Sequence, residues 1–245
     1  MNEQIKKEGK LSLKWLYLAW FSIIFCILII GIIGAIVQGD PEPVIQQMGI
    51  GIDVFALCLD GIGMIIAVAI LRFLLKERGL DWEDIGLKGK LSLHAIGFAL
   101  VCVLIALLSY RLIEISLGSM GMSIYWNGKG TNTLLISPLA VVLVLISEVL
   151  VAPVTEEIIH RGYVLAMFLE RKHKPFVAVL LSALIYSSIT IVLGPGMMVY
   201  IFLWSFIPAF LYLKFKSLYP GILFHFLNNL IVYIIIPIIP LLGGG

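Results

Sequence analysis

The sequence predicts an all-α fold, a polytopic transmembrane helical bundle with about seven spans. Hydrophobic residues make up 61% of the chain and charged residues only 13%, which is far from the composition of a soluble domain. Several apolar runs are long enough to cross a bilayer, which takes roughly 18 residues or more. These runs lack the alternation of barrel strands, and a backbone in lipid must satisfy its own hydrogen bonds. Each run is therefore expected to be a helix.

Hydropathy places the spans in order along the chain. They lie near residues 15–37, 49–75, 93–117, 134–170, 176–193, 197–213 and 219–240. The first run is too long for a cleaved signal peptide and is expected to remain as a span. The fourth is oversized: Pro138 and Pro153 are expected to offset or kink it, and it could be one helix or two. We therefore separate N-terminal transmembrane helices, residues 1–133, from a core at residues 134–240.

Lys and Arg residues are distributed asymmetrically among the connections. The N-terminal segment and the connections 72–92, 171–174 and 214–216 hold fourteen of them, whereas the alternate connections hold only Lys129. Because short cytoplasmic loops are rich in these residues, the N-terminus and these three connections are expected on the cytoplasmic side. The net charge of +2 is small and dispersed, so nucleic acid is excluded as a partner and the lipid bilayer is the expected environment.

Ionisable side chains inside the spans are the first candidates for function, since each costs roughly 2.5–3.5 kcal/mol to insert at a helix centre. The densest group contains Glu156, Glu157 and Arg161 in the fourth span. Glu157 and Arg161 are four residues apart on one helix face and are expected to form an ion pair. Glu156 points elsewhere and has no partner in its own helix, so it could act as a base toward water. His160 is placed on a different face from Glu156.

A second polar group lies in the last span. His225 and Asn229 are four residues apart and project from one helix face. A histidine and a carboxamide inside a bundle can bind a metal, orient a water molecule or stabilise an oxyanion. They can also simply bridge two membrane helices.

Two further pairs of charged residues lie in the N-terminal spans. Arg111 and Glu114 are three residues apart and are expected to form a structural ion pair. Asp53 and Asp60 are seven residues apart on one face of the second span, with no cation in that helix. They could serve packing, gating or a proton path.

The two polar groups in the core, taken in this order, resemble the CPBP intramembrane protease family. This family includes the CAAX prenyl endopeptidases and the bacterial Abi proteins linked to bacteriocin processing and self-immunity. It carries a Glu-Glu-x-x-x-Arg motif, matched here by Glu156, Glu157 and Arg161, and a His-x-x-x-Asn motif, matched by His225 and Asn229. The likeness covers roughly residues 135–235.

The resemblance implies a role for each of these residues. Glu156 would be the general base on a bound water, His225 and Asn229 would hold the developing oxyanion, and Glu157 and Arg161 would be a supporting pair. The implied substrate is a membrane-associated peptide or protein. The implied location is a bacterial plasma membrane.

One position departs from the family pattern. The family has an aromatic residue followed four positions later by a second histidine that helps the glutamate activate water. Here these two positions hold Tyr186 and Thr190. A threonine hydroxyl can hydrogen-bond a water but cannot take its proton near neutral pH. The same gap leaves only Glu156 and His225 as good ligands for a divalent metal such as zinc, which normally takes three protein ligands.

The sequence leaves three functions open. The first is a CPBP-type endopeptidase that hydrolyses a peptide bond of a membrane-associated substrate with water activated by a glutamate. The second is a catalytically impaired pseudoprotease that binds a membrane partner or gives immunity to a bacteriocin, and Thr190 favours it. The third is a small proton-coupled transporter that uses Asp53, Asp60, Glu156 and His225, although the chain lacks the paired interrupted helices typical of such proteins.

Overall fold

The chain forms a bundle of helices, as predicted. The computed structural model describes residues 10–126 and 134–242, and these ranges contain helices and turns but no strand. The basic residues Lys6, Lys7 and Lys129, which entered the prediction of orientation, lie outside the described residues.

Eight helices make up the described part of the bundle. They are α1 (Phe21–Val37), α2 (Glu42–Gln46), α3 (Ile52–Glu77), α4 (Leu93–Ser119), α5 (Pro138–Glu170), α6 (Pro175–Val192), α7 (Pro195–Phe215) and α8 (Tyr219–Ile239). Six of these, α3 to α8, are long and apolar enough to cross a membrane. The 3₁₀ segment Leu13–Ala19 joins α1 at a bend of 49° and completes a seventh candidate span. The prediction of about seven spans is therefore confirmed.

Helix α5 resolves the question of the oversized fourth span. It is one helix of 33 residues that contains two π-helical stretches, Leu145–Val151 and Ile158–Leu165. The expected disturbance at Pro138 is wrong, because Pro138 stands in the first turn, where a helix needs no N–H, directly after the cap residue Ser137. Pro153 lies just after the first π-helical stretch, where the regular hydrogen-bond ladder is already interrupted.

The basic connections meet at one end of the bundle. The backbone N–H groups of Lys10 and Leu11 donate to the Glu170 carboxylate at 2.8 and 2.7 Å. The Ser217 hydroxyl donates to the Lys88 carbonyl at 2.8 Å. At the other end the Ser137 hydroxyl donates to the Gly49 carbonyl, also at 2.8 Å, and connects two segments of low charge.

Helix α5 lies at the centre of the bundle. It packs against α3, α6, α7 and α8, and every residue of its second π-helical stretch is buried. Gly162 permits this packing: a Cβ atom there would lie 3.0 Å from Leu218 Cδ1 and 3.1 Å from the Ile85 carbonyl oxygen. The central position of α5 carries its polar residues into the interior, where side chains from three other helices surround them.

Candidate active site

Glu157 and Arg161 form the ion pair predicted from their spacing. Arg161 Nη1 lies 3.1 Å from Glu157 Oε1, and the two side chains are only 1% and 0% exposed. Arg161 Nη2 also donates to the hydroxyl and the carbonyl of Ser205 on α7, at 3.1 and 3.3 Å. The pair therefore neutralises Glu157 and ties α5 to α7.

Aromatic rings enclose the Arg161 guanidinium. Its central carbon lies 4.9 Å from the ring centroid of Tyr186 and 5.7 Å from that of Trp204. A cation over an aromatic face is attracted by the ring quadrupole, by about 2 kcal/mol when both are removed from water. Both rings belong to helices that also contact the site residues, so Arg161 holds α6 and α7 in position around α5.

Glu156 has a different environment from Glu157. The Tyr186 hydroxyl donates a hydrogen bond to Glu156 Oε2, and His225 Nε2 lies 3.9 Å from the same oxygen. The Glu156 side chain is 13% exposed, whereas that of Glu157 is fully buried. The partners of Glu156 lie on other helices, which agrees with the expectation that it has none in its own. Of the two adjacent carboxylates, Glu156 is the more exposed.

His225 connects the two carboxylates. Its Nδ1 lies 3.2 Å from Glu157 Oε1, and its ring stands edge-on to Trp204 at a centroid distance of 4.8 Å. The contact places Nδ1 of His225 against a carboxylate that is already paired with Arg161. The other nitrogen, Nε2, is turned toward Glu156.

Gly221 allows this close approach of α8 to α5. A Cβ atom at this position would lie 3.2 Å from Glu157 Oε2. The absence of a side chain one helical turn before His225 lets the Glu157 carboxylate lie against the helix. The Glu157–His225 contact therefore depends on glycine in the first turn of α8.

Asn229 is anchored on the first π-helical stretch of α5. Its side-chain nitrogen donates to the backbone carbonyl of Glu148 at 2.8 Å, and its side-chain oxygen accepts from Asn228 at 3.2 Å. One N–H of the Asn229 amide is thus used in positioning, and the second is left for another acceptor. His225 and Asn229 both face α5, as their shared helix face predicts.

Sequence reasoning missed a further buried acidic residue on α5. Glu148 is buried at 7% exposure, and its carboxylate interacts with Tyr233 of α8. Asp60 of α3 is half-buried and interacts electrostatically with both Glu148 and Glu156. Asp53 is exposed. Glu148 could have been found by the rule that already selected Glu156, since both are carboxylates in the interior of a span.

His160 lies beside the site, contrary to the expectation that placed it on a different helix face. Residues four apart share a face, so Glu156 and His160 project together, as Glu157 and Arg161 do. The His160 ring lies 4.4 Å from the Tyr186 ring, and the residue is fully buried. Neither ring nitrogen has a hydrogen-bond partner among the described residues.

Other unpaired polar atoms lie in the same neighbourhood. They are Glu157 Oε2, Trp204 Nε1 and Asn228 Oδ1, all buried and without a partner among the described residues. Leaving a buried donor or acceptor unpaired costs roughly 1–3 kcal/mol, so a concentration of such atoms marks a place that receives polar atoms from a ligand or water.

Thr190 does not offer its hydroxyl to the site. It ends the α-helical part of α6, where its Oγ1 donates to the Ser187 carbonyl at 2.8 Å. Tyr186, one turn earlier, is the residue of α6 that reaches Glu156. The structure therefore places no histidine at this position of α6, and the Thr190 hydroxyl donates its hydrogen bond within its own helix.

A metal centre does not fit these residues. The described residues contain no group of three or more His, Cys, Asp or Glu side chains that could hold a metal ion. Glu156 and His225 supply two ligands, but Glu156 Oε2 already accepts from Tyr186, and the Asn229 amide is held by its neighbours. This set falls short of the three protein ligands usual for catalytic zinc.

One pair of charged residues lies apart from the site, as predicted. Arg111 and Glu114 of α4 form an ion pair, and both side chains are exposed. This pair is therefore structural, and variants of it can serve as controls for variants of the buried Glu157–Arg161 pair.

Comparison with known proteins supports the assignment of the core. Residues 138–231 match the family model of type II CAAX prenyl endopeptidases, described as Rce1-like. Searches of curated proteins and of solved structures found no match. The matched range runs from the first residue of α5 into α8 and contains both polar groups of the site. Residues 138–231 of this integral membrane chain are therefore similar to the CAAX prenyl endopeptidases of the CPBP family.

Proposed function

We propose that the chain is an intramembrane endopeptidase in which Glu156 activates water against a peptide bond. The observation that carries this proposal is the contrast between the two adjacent glutamates. Glu157 is buried and neutralised by Arg161, whereas Glu156 is 13% exposed and lies 3.9 Å from His225 Nε2. A carboxylate that is not paired with a cation and can be reached by water is suited to general-base catalysis.

The reaction follows from these positions. Glu156 takes a proton from water, and the water oxygen attacks the carbonyl carbon of the scissile bond. His225 and the second N–H of the Asn229 amide stabilise the negative charge that develops on the carbonyl oxygen. The carbon–nitrogen bond then breaks, and the proton held by Glu156 passes to the leaving amine. Glu157 and Arg161 position His225 and the surrounding helices.

The proposed substrate is a membrane-associated peptide or protein in a bacterial plasma membrane. The site is formed by the interior of α5, α6, α7 and α8, which are candidate membrane spans, so the substrate must reach it within or at the edge of the bilayer. The similarity of residues 138–231 to the CAAX prenyl endopeptidases supports the same class of substrate.

The test is cleavage of a panel of membrane-tethered peptides by the purified chain and by Glu156→Gln. The amide keeps the size of the carboxylate but cannot take a proton, so kcat is expected to fall roughly 10²–10⁴-fold. Glu114→Gln is the matched control, since Glu114 lies in the exposed pair of α4. Unchanged cleavage by Glu156→Gln would rule out this mechanism.

The second candidate is a pseudoprotease that binds a membrane partner or a bacteriocin. One observation favours it: the hydroxyl of Thr190 donates to its own helix and, unlike an imidazole, cannot take a proton from water near neutral pH. This function predicts an inert native chain that gains cleavage with Thr190→His. It also predicts that Glu156→Gln leaves the cellular phenotype intact at normal expression. Loss of the phenotype in that variant would count against it.

A further inference from the structure

We infer that His160 holds the nucleophilic water and so supplies the imidazole that is missing at Thr190. The inference rests on the proposed function and adds a residue to it. The structure gives His160 three properties that such a role needs: a position next to the base, a free hydrogen-bonding atom, and shelter from bulk water.

The position follows from the geometry of α5. His160 comes four residues after Glu156, so both side chains project on the same side of the helix. Its ring packs on the Tyr186 ring at a centroid distance of 4.4 Å, and the hydroxyl of Tyr186 donates to Glu156. The imidazole and the carboxylate therefore flank the same tyrosine. The π-helical stretch Ile158–Leu165 includes His160, and such stretches are frequent at functional sites.

Free hydrogen-bonding capacity distinguishes His160 from the other candidates for this role. A neutral imidazole has one N–H donor and one acceptor nitrogen, and neither nitrogen of His160 has a partner among the described residues. His225 differs, because its Nδ1 is paired with Glu157 at 3.2 Å. Thr190 also differs, because its hydroxyl donates to the Ser187 carbonyl. His160 thus has both ring nitrogens available for a water molecule, whereas His225 has one nitrogen already paired with Glu157.

The chemistry uses both groups at once. The acceptor nitrogen of His160 receives a hydrogen bond from one O–H of the water, while Glu156 removes the proton of the other O–H. The water oxygen then forms its bond to the carbonyl carbon, and the proton on Glu156 goes to the amine as the carbon–nitrogen bond breaks. His160 gains and loses no proton over the cycle; it fixes the direction in which the water attacks.

Two variants of His160 separate this role from packing. His160→Phe keeps a ring against Tyr186 but removes both nitrogens, and His160→Gln keeps an acceptor but removes the ring. In His160→Phe we expect kcat to fall roughly 100-fold while KM stays unchanged. In His160→Gln we expect kcat to be about tenfold higher than in His160→Phe. His94→Phe is the control, since His94 packs edge-on against Phe98 and Phe215 at the start of α4.

The outcomes distinguish this inference from the proposed function. A His160→Phe variant as active as the native chain, or more active than His160→Gln, overturns the water-holding role, because packing alone would then explain the residue. In that case an inactive Glu156→Gln variant still supports the endopeptidase. A native chain inactive on every substrate overturns the endopeptidase and the role of His160 with it.

Discussion

At the scale of single residues, the site works by giving two neighbouring carboxylates opposite environments. Glu157 is held by Arg161 and His225 within 3.2 Å, whereas Glu156 receives only the tyrosine hydroxyl and the more distant His225 Nε2. Adjacent positions on a helix point in directions about 100° apart, so two consecutive glutamates must meet different neighbours. One carboxylate can therefore stabilise the fold while the other remains available for chemistry.

The buried ion pair makes a prediction about stability. Arg161→Met has a similar length but leaves the Glu157 carboxylate without its cation, and breaking a buried pair in this way costs roughly 3–5 kcal/mol. Thermal unfolding of the purified variant in detergent measures the loss. Arg111→Met removes the cation of the exposed pair in α4, where the expected cost is at most about 1 kcal/mol. Equal losses in the two variants would contradict the structural role assigned to Arg161.

At the scale of helices, the arrangement depends on how closely α8 approaches α5. Gly221 lies in the first turn of α8, and the Glu157 carboxylate lies against the position that a Cβ atom would take there. His225 follows one turn later and reaches the other oxygen of the same group. The contact between these helices thus fixes where His225 Nε2 points, and a small separation of α8 would move it away from Glu156.

Gly221→Ala tests this contact between helices. The new Cβ would meet Glu157 Oε2 at 3.2 Å, a crowded distance, so α8 or the carboxylate must shift. We expect lower thermal stability and a fall in kcat, because His225 moves with α8. Gly97→Ala is the matched control: Gly97 lies within α4 with no atom near its missing Cβ, so alanine should raise stability by roughly 0.5–1 kcal/mol. A Gly221→Ala variant that behaves like Gly97→Ala would show that the contact is not tight.

At the scale of the whole molecule, composition was enough to predict the fold. Long apolar runs can satisfy their backbones in lipid only as helices, which is why the number of spans and their approximate ends were predictable. The Glu157–Arg161 and Arg111–Glu114 pairs were predictable too, because both are contacts within one helix at fixed spacing.

Contacts between helices were not predictable in the same way. The hydrogen bond from Tyr186 to Glu156 and that from Asn229 to the Glu148 carbonyl each join residues far apart in the chain. Sequence periodicity gives the face on which a residue lies but not the helix that this face meets. Periodicity therefore predicted two separate groups, the resemblance to the CPBP family implied that they act together, and the structure supplied the contacts that join them.

The basic connections supply the last prediction, which concerns orientation in the membrane. Lys10, Lys88 and Glu170 lie in segments joined by hydrogen bonds at one end of the bundle, and Gly49 and Ser137 join segments at the other. Because Lys- and Arg-rich loops are retained in the cytoplasm, we propose that the first end is cytoplasmic. The site would then lie between the two surfaces, with the N-terminus on the cytoplasmic side.

Labelling of single cysteines in right-side-out membrane vesicles tests this orientation. In a chain with Cys26, Cys58 and Cys102 replaced by alanine, Gln47→Cys should react with a membrane-impermeant thiol reagent in intact vesicles, because Gln47 is exposed near Gly49. Lys174→Cys, exposed in the basic connection between α5 and α6, should react only after the vesicles are opened. The reverse pattern would invert the orientation, and a substrate would then have to approach the site from the opposite face of the membrane.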